Sequence, residues 1–201
     1  MDAETQERIV AELEERITEL NEELREEAAE EGRKDVPIKV GIGLNTGQCC
    51  VGNMGSELRF DYSVLGDAVN LAARLEGQSK TYGVRIVIGE NTYRRAEDYA
   101  VIELDIIKVK GKNEAVRIFA LLGEPAMRDE PGFQVLSKRH AAMLEAYRGQ
   151  NWAEARSLAA ECRTLDGGLD GLYDLYDERI DAFESDPPGP DWDGVFVATT
   201  K

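Results

Sequence analysis

The run Phe60-Asp61-Tyr62-Ser63-Val64-Leu65-Gly66-Asp67-Ala68-Val69-Asn70-Leu71-Ala72-Ala73-Arg74-Leu75-Glu76 constrains this chain more than any other part of it. From Gly66 onward the spacing is helical. Residues at i and i+4 are neighbours on a helix surface, so Asn70 and Arg74 share one face and can converge on one ligand. Gly66-Asp67 reads as the helix entry, with a short carboxylate suited to the first turn. Further on, Val109-Lys110-Gly111-Lys112 is a lysine–glycine–lysine turn that can present an ammonium group to phosphate.

Around this run the texture alternates between helical and β-type. Ile9, Val10, Leu13, Ile17, Leu20 and Leu24 recur at spacings of three and four, which predicts an amphipathic helix over 3–32, ended by Gly32, Asp35 and Pro37. Ile38–Ile42 and Cys49–Gly52, either side of Thr46-Gly47, predict an antiparallel hairpin, followed by a loop from Gly52 to Glu57. A helix over 66–78, a strand over 84–88, a short helix over 90–97 and a strand pair over 99–109 and 115–122 complete a mixed α/β layer. The glycines and prolines from Gly123 to Gly132 read as a linker. Beyond it lie a helix pair, 135–149 and 152–165, a third helix over 169–184 and an irregular tail around Pro187–Gly194. Ala146, Tyr147, Trp152 and Ala155 give the pair a tetratricopeptide-like pattern, but one hairpin is not a repeat array.

Composition removes several classes of function. With 40 acidic against 24 basic residues and a net charge of −16, the chain repels phosphate backbones, which argues against nucleic-acid binding. ATP binding through a few converging cations stays open. The 3 cysteines, Cys49, Cys50 and Cys162, have neither disulfide-framework nor zinc-site spacing and read as reduced thiols of a cytoplasmic protein. No apolar run is long enough to span a bilayer, and the charged N-terminus does not read as a signal peptide. Gly41-x-Gly43 lacks the third glycine of a dinucleotide fingerprint, and no Gly-Lys-Ser/Thr occurs.

Together with Gly41-Ile42-Gly43-Leu44-Asn45-Thr46-Gly47, the Gly66–Glu76 run and the Lys110 turn resemble the C-terminal half of a class III nucleotidyl cyclase catalytic domain, of the bacterial sensor-linked adenylate cyclase type. The resemblance implies an α+β fold: a partial, ferredoxin-like cyclase domain with a mixed sheet and helices on one side, followed by a small all-α extension. It divides the chain into an amphipathic helix of the cyclase domain (1–35), the C-terminal half of the catalytic domain (36–123), a linker (124–134) and a helical hairpin with an irregular tail (135–201). The implied reaction converts ATP to 3′,5′-cyclic AMP and pyrophosphate at a dimer interface. Asn70 matches the asparagine that positions the ribose, and Arg74 the arginine that stabilises the transition state. Lys110 matches the lysine on the β- and γ-phosphates. Ser63 stands where adenylate cyclases place an acceptor for the adenine amino group.

The same resemblance sets expectations for what lies outside the motifs. The family reaction uses Mg²⁺ or Mn²⁺ held by two aspartates, whose strand and Gly-Asp turn have no counterpart before Val36, so metal ligands are expected to be absent from this chain. The chain is then expected to be inactive alone and to need a homodimer or a complementing cyclase half. An intact parent is expected at the bacterial inner membrane. Each residue also has a plainer reading: Arg74 as a surface arginine paired with Glu76 or another carboxylate, Ser63 as a strand serine, Asp67 as a helix cap, Lys110 as a solvated turn lysine and His140 as an ordinary helix residue. The alternative function is a non-catalytic, cyclase-like interaction or regulatory protein.

Overall fold

The computed structural model describes residues 3–56, 59–108, 115–165 and 168–197, with side chains over 16–54, 61–108, 115–165 and 168–196. It divides into two units, Met1–Val40 and Gly41–Lys201. The first holds one long helix, α1 (Ala3–Glu30). Asn21 fastens the chain that leaves it, donating to the Ile38 carbonyl at 2.9 Å and accepting the Ile38 N–H at 2.6 Å. Ile17, Leu20 and Leu24 form the half-buried stripe predicted for this helix; the side chains of Ile9, Val10 and Leu13 lie outside the described ones.

The second unit is built on a five-stranded mixed sheet in the order β1-β4-β6-β5-β7. Its strands are β1 (Ile42–Leu44), β4 (Ile86–Gly89), β5 (Ala100–Lys108), β6 (Val116–Gly123) and β7 (Phe196–Val197). Strand β1 runs parallel to β4, β4–β6 and β6–β5 are antiparallel, and β7 returns parallel to the end of β5. A separate ribbon is formed by β2 (Cys50–Ser56) and β3 (Arg59–Leu65). The hairpin is therefore 50–56 with 59–65, not 38–42 with 49–52, and the expected loop over 52–57 is mostly strand. The reason is close packing against α2 (Asp67–Tyr82). A Cβ on Gly43 would lie 2.2 Å from the Ala72 carbonyl oxygen and 2.3 Å from the Glu76 nitrogen, so β1 is sandwiched between α2 and β4.

Helix α2 runs past Gly77 to a left-handed glycine, Gly83. It buries Leu71, Leu75, Ser79 and Tyr82, a three-and-four spacing that leaves Asn70 and Arg74 beside the buried stripe. A short helix α3 (Glu90–Tyr93) follows β4, and α4 (Pro125–Arg128) occupies the stretch read as a linker. Helices α5 (Pro131–Arg148), α6 (Trp152–Leu165) and α7 (Asp170–Ser185) come next. They share one hydrophobic core with α2 and the sheet, through residues such as Leu75, Leu104, Ile118, Met143, Leu158 and Ile180. The described residues beyond 124 thus contribute to the same core as the sheet, and β7 adds a strand to it.

His140 illustrates that packing. The buried ring donates Nε2–H to the Glu103 carbonyl at 2.6 Å, leaving Nδ1 to accept from the Tyr173 hydroxyl at 3.2 Å. Burial pushes its pKa from 6.5 down to about 4. In the window between these values the unfolded chain binds the proton and the folded chain does not. The stability contributed by neutral His140 is therefore complete above the unfolded value and is lost as pH falls toward the folded one. Urea unfolding of the parent should lose about 2 kcal/mol more than His140→Gln between about pH 7.5 and about pH 5. Equal losses would show that His140 carries no such linkage.

Candidate functional site

The entry to α2 organises the candidate site. Gly66 is the N-cap residue and makes no side-chain cap; its backbone carbonyl receives the Val69 and Asn70 N–H groups at 3.1 Å. A Cβ there would lie 2.9 Å from the Gln48 carbonyl oxygen and 3.2 Å from the Cys49 Cα, so the turn closes directly on the chain entering β2. Asp67, expected as the cap, is instead the first helical residue, where its carboxylate still suits the positive end of the helix dipole. Asn45 secures the same end from the other side, donating to the Ala68 carbonyl at 3.1 Å. That supporting role was not legible beforehand. The Leu44-Asn45-Thr46-Gly47 motif pointed to the segment but not to its contact with α2.

Asn70 is exposed and Arg74 half-buried, one turn apart on the same flank of α2. Among the described residues neither side chain has a hydrogen-bond or ion-pair partner, so the plainer reading of Arg74, paired with Glu76 or another carboxylate, finds no such contact there. This contrasts with the arginines of the C-terminal helices. Arg163 holds Asp174 at 2.6 Å and Asp177 at 2.9 Å, and Arg148 holds Glu103 at 2.6 Å. In a chain with 40 acidic residues, a half-buried guanidinium with no partner among the described ones stands out.

Ser63 lies on β3, opposite Gly52 of β2, and its side chain is exposed. It is three residues before the turn at Gly66, and no hydrogen bond among the described residues joins it to Asn70 or Arg74. Lys110 lies outside the described residues, just past the end of β5 at Lys108. The structure thus brings Asn70 and Arg74 together and places Ser63 on the neighbouring ribbon.

That ribbon exposes apolar side chains to solvent beside the polar Asn53, Asp61 and Ser63. Val51 pairs across with Val64 and Asn53 with Tyr62, so Val51, Val64 and Tyr62 share one face. Tyr62 is 77% exposed, Val51 59% and Leu65 60%. A two-stranded ribbon has little stability of its own in water. As to metals, no group of three or more His, Cys, Asp or Glu side chains converges among the described residues. No step is therefore assigned to a metal held by these residues.

Comparison with known proteins gives a consistent picture. The family described as "Adenylate and Guanylate cyclase catalytic domain" matches residues 5–123. An adenylate cyclase of Anabaena cylindrica is 42% identical over 93 residues, which is 44% of this chain and 18% of that protein. Adenylate cyclase 1 of Rhizobium meliloti (strain 1021) is 31% identical over 112 residues, 55% of this chain and 16% of that protein. The chain therefore spans less than a fifth of the length of these relatives. Among solved structures, the adenylyl cyclase CyaB from P. aeruginosa is 32% identical, with a TM-score of 0.42 over 51% of this chain and 52% of that one.

Proposed function

Through residues 5–123 the chain belongs to the class III adenylate and guanylate cyclase catalytic domain family, and on that premise we propose that it supplies the transition-state half of a composite adenylate cyclase site. In the reaction, the ribose 3′-hydroxyl of ATP gives up its proton to solvent and its oxygen bonds to the α-phosphorus, while the bond from that phosphorus to the bridging oxygen breaks and pyrophosphate leaves. Negative charge grows on the phosphoryl oxygens, and fixed cations aimed at them stabilise that state more than the ground state. Arg74 is that cation. Asn70 hydrogen-bonds the ribose and aligns the attacking oxygen. Ser63 accepts from the adenine amino group, and Lys110 holds the β- and γ-phosphates.

The observation that carries this reading is Arg74 itself. A half-buried guanidinium with no carboxylate partner among the described residues, one turn from a carboxamide with no partner among them either, has its charge available for an anionic ligand. A structural arginine in so acidic a chain has every opportunity to pair, as Arg156 does with Asp177 at 3.3 Å and Glu184 at 3.4 Å. The complementing carboxylates come from a second cyclase half, and the ribbon of Val51, Tyr62 and Val64 is the surface that receives it. The test is to mix this chain with a homodimeric cyclase whose own asparagine and arginine are disabled and whose metal aspartates are intact. Cyclic AMP formed only in the mixture supports the half-site. Demonstrated association without activity would leave the interaction-protein reading, which the exposed ribbon serves equally well.

The ribbon carries its own prediction. Light scattering should show the mass of the isolated chain rising with concentration, and Tyr62→Ser with Val64→Ser should return it toward the monomer. A mass that stays monomeric at every concentration would remove the ribbon as a self-association surface.

A further inference from the structure

Three elements meet at one buried polar cluster. Tyr82, at the C-terminal end of α2, donates its hydroxyl to Asp105 Oδ2 at 2.6 Å. Arg179, on α7, donates Nη1 to the same oxygen at 2.6 Å and Nη2 to the Tyr82 hydroxyl at 3.2 Å. The other carboxylate oxygen accepts the Ile106 N–H at 2.7 Å. The guanidinium sits 3.5 Å from the ring centroid of Phe196 on β7 and 5.5 Å from that of Tyr176 on α7. Beside the cluster, Gly83 closes on α7: a Cβ there would lie 3.2 Å from Gly171 Cα. The end of α2 opposite Asn70 is thus held by α7, which lies beyond the family-matched residues.

We propose that Tyr82, Asp105 and Arg179 are positioning residues, through which the C-terminal helix α7 sets the placement of α2 and hence of Asn70 and Arg74. The catalytic consequence rests on the half-site reading above. An apolar cluster would hold the same elements together about as well, since buried ion pairs seldom outdo hydrophobic packing in stability. What hydrogen bonds add is direction. Tyr82 lies eight residues from Arg74, about 12 Å along a stiff helix, so a shift at one end is delivered to the other. Misplacing a catalytic group by about 1 Å can cost on the order of 10²-fold in rate.

Tyr82→Phe in the full chain is the discriminating variant, because it cuts the link to α2 and leaves the Arg179–Asp105 pair intact. In the complemented mixture, kcat should fall about tenfold with KM for ATP unchanged. Arg179→Lys, which keeps a charge on Asp105, should retain more activity than Arg179→Met. Unchanged kcat for Tyr82→Phe in an active mixture would overturn the proposal. If the parent mixture makes no cyclic AMP, the half-site reading fails separately, and amide hydrogen exchange decides the coupling. Faster exchange across α2 in Tyr82→Phe, with α6 as the unchanged reference, would uphold it; unchanged α2 would overturn it.

Discussion

Arg74→Ala should reduce cyclic AMP formation in the complemented mixture by ~10²–10³-fold, the usual cost of removing one donor from an oxyanion-type site. The loss should fall on kcat more than on KM, because the interaction strengthens as charge develops on the phosphoryl oxygens. The side chain has no carboxylate or hydrogen-bond partner among the described residues, so its removal breaks no ion pair among them. Thermal unfolding of the variant should stay close to the parent, separating a lost function from a lost fold. Arg74→Lys keeps the charge but loses the planar fork, and should recover only part of the rate. Full activity in Arg74→Ala would sink the assignment.

Arg179→Met should be the most destabilising single change, at about 3–5 kcal/mol, because it leaves a buried carboxylate without its cation. Asp105 is 1% exposed and Arg179 6%, so water cannot take over the lost contact. Combining Arg179→Met with Asp105→Asn should recover part of the loss, since a neutral amide is cheaper to bury and still accepts from Tyr82. The difference between the double variant and the sum of the singles, measured by urea unfolding, reads the coupling directly. Additive effects would mean that the pair does not act as a unit.

Much of the local structure was legible because it depends on near neighbours. The amphipathic stripe of α1, the helical spacing of Asn70 and Arg74, the strands around 84–88, 99–109 and 115–122 and the three C-terminal helices all follow from side-chain periodicity. Strand pairing was not. Ile42–Leu44 reads as half of a hairpin with the next β-type run, yet it pairs in parallel with Ile86–Ile88, and the ribbon partner of Cys50–Ser56 is Arg59–Leu65. The glycines at 41 and 43 let α2 lie against the chain at β1. Nothing in their immediate neighbours distinguishes a glycine in a turn from a glycine beneath a helix.

The sequence by itself determined the family, the α+β class and the pairing of a carboxamide with a guanidinium one helical turn apart. These depend on order along the chain and on a fixed helical repeat. Only the tertiary structure decided which charges are paired. Asp105 follows Leu104 in β5, and regular alternation would send the two to opposite faces. An irregularity between Glu103 and Asp105 in the pairing with β6 lets both be buried. There Asp105 meets Arg179, distant in the chain, while Arg74 has no carboxylate partner among the described residues of a chain with 40 acidic ones. A charge's partner depends on which elements pack together, and that is set by the shared core and not by any local spacing.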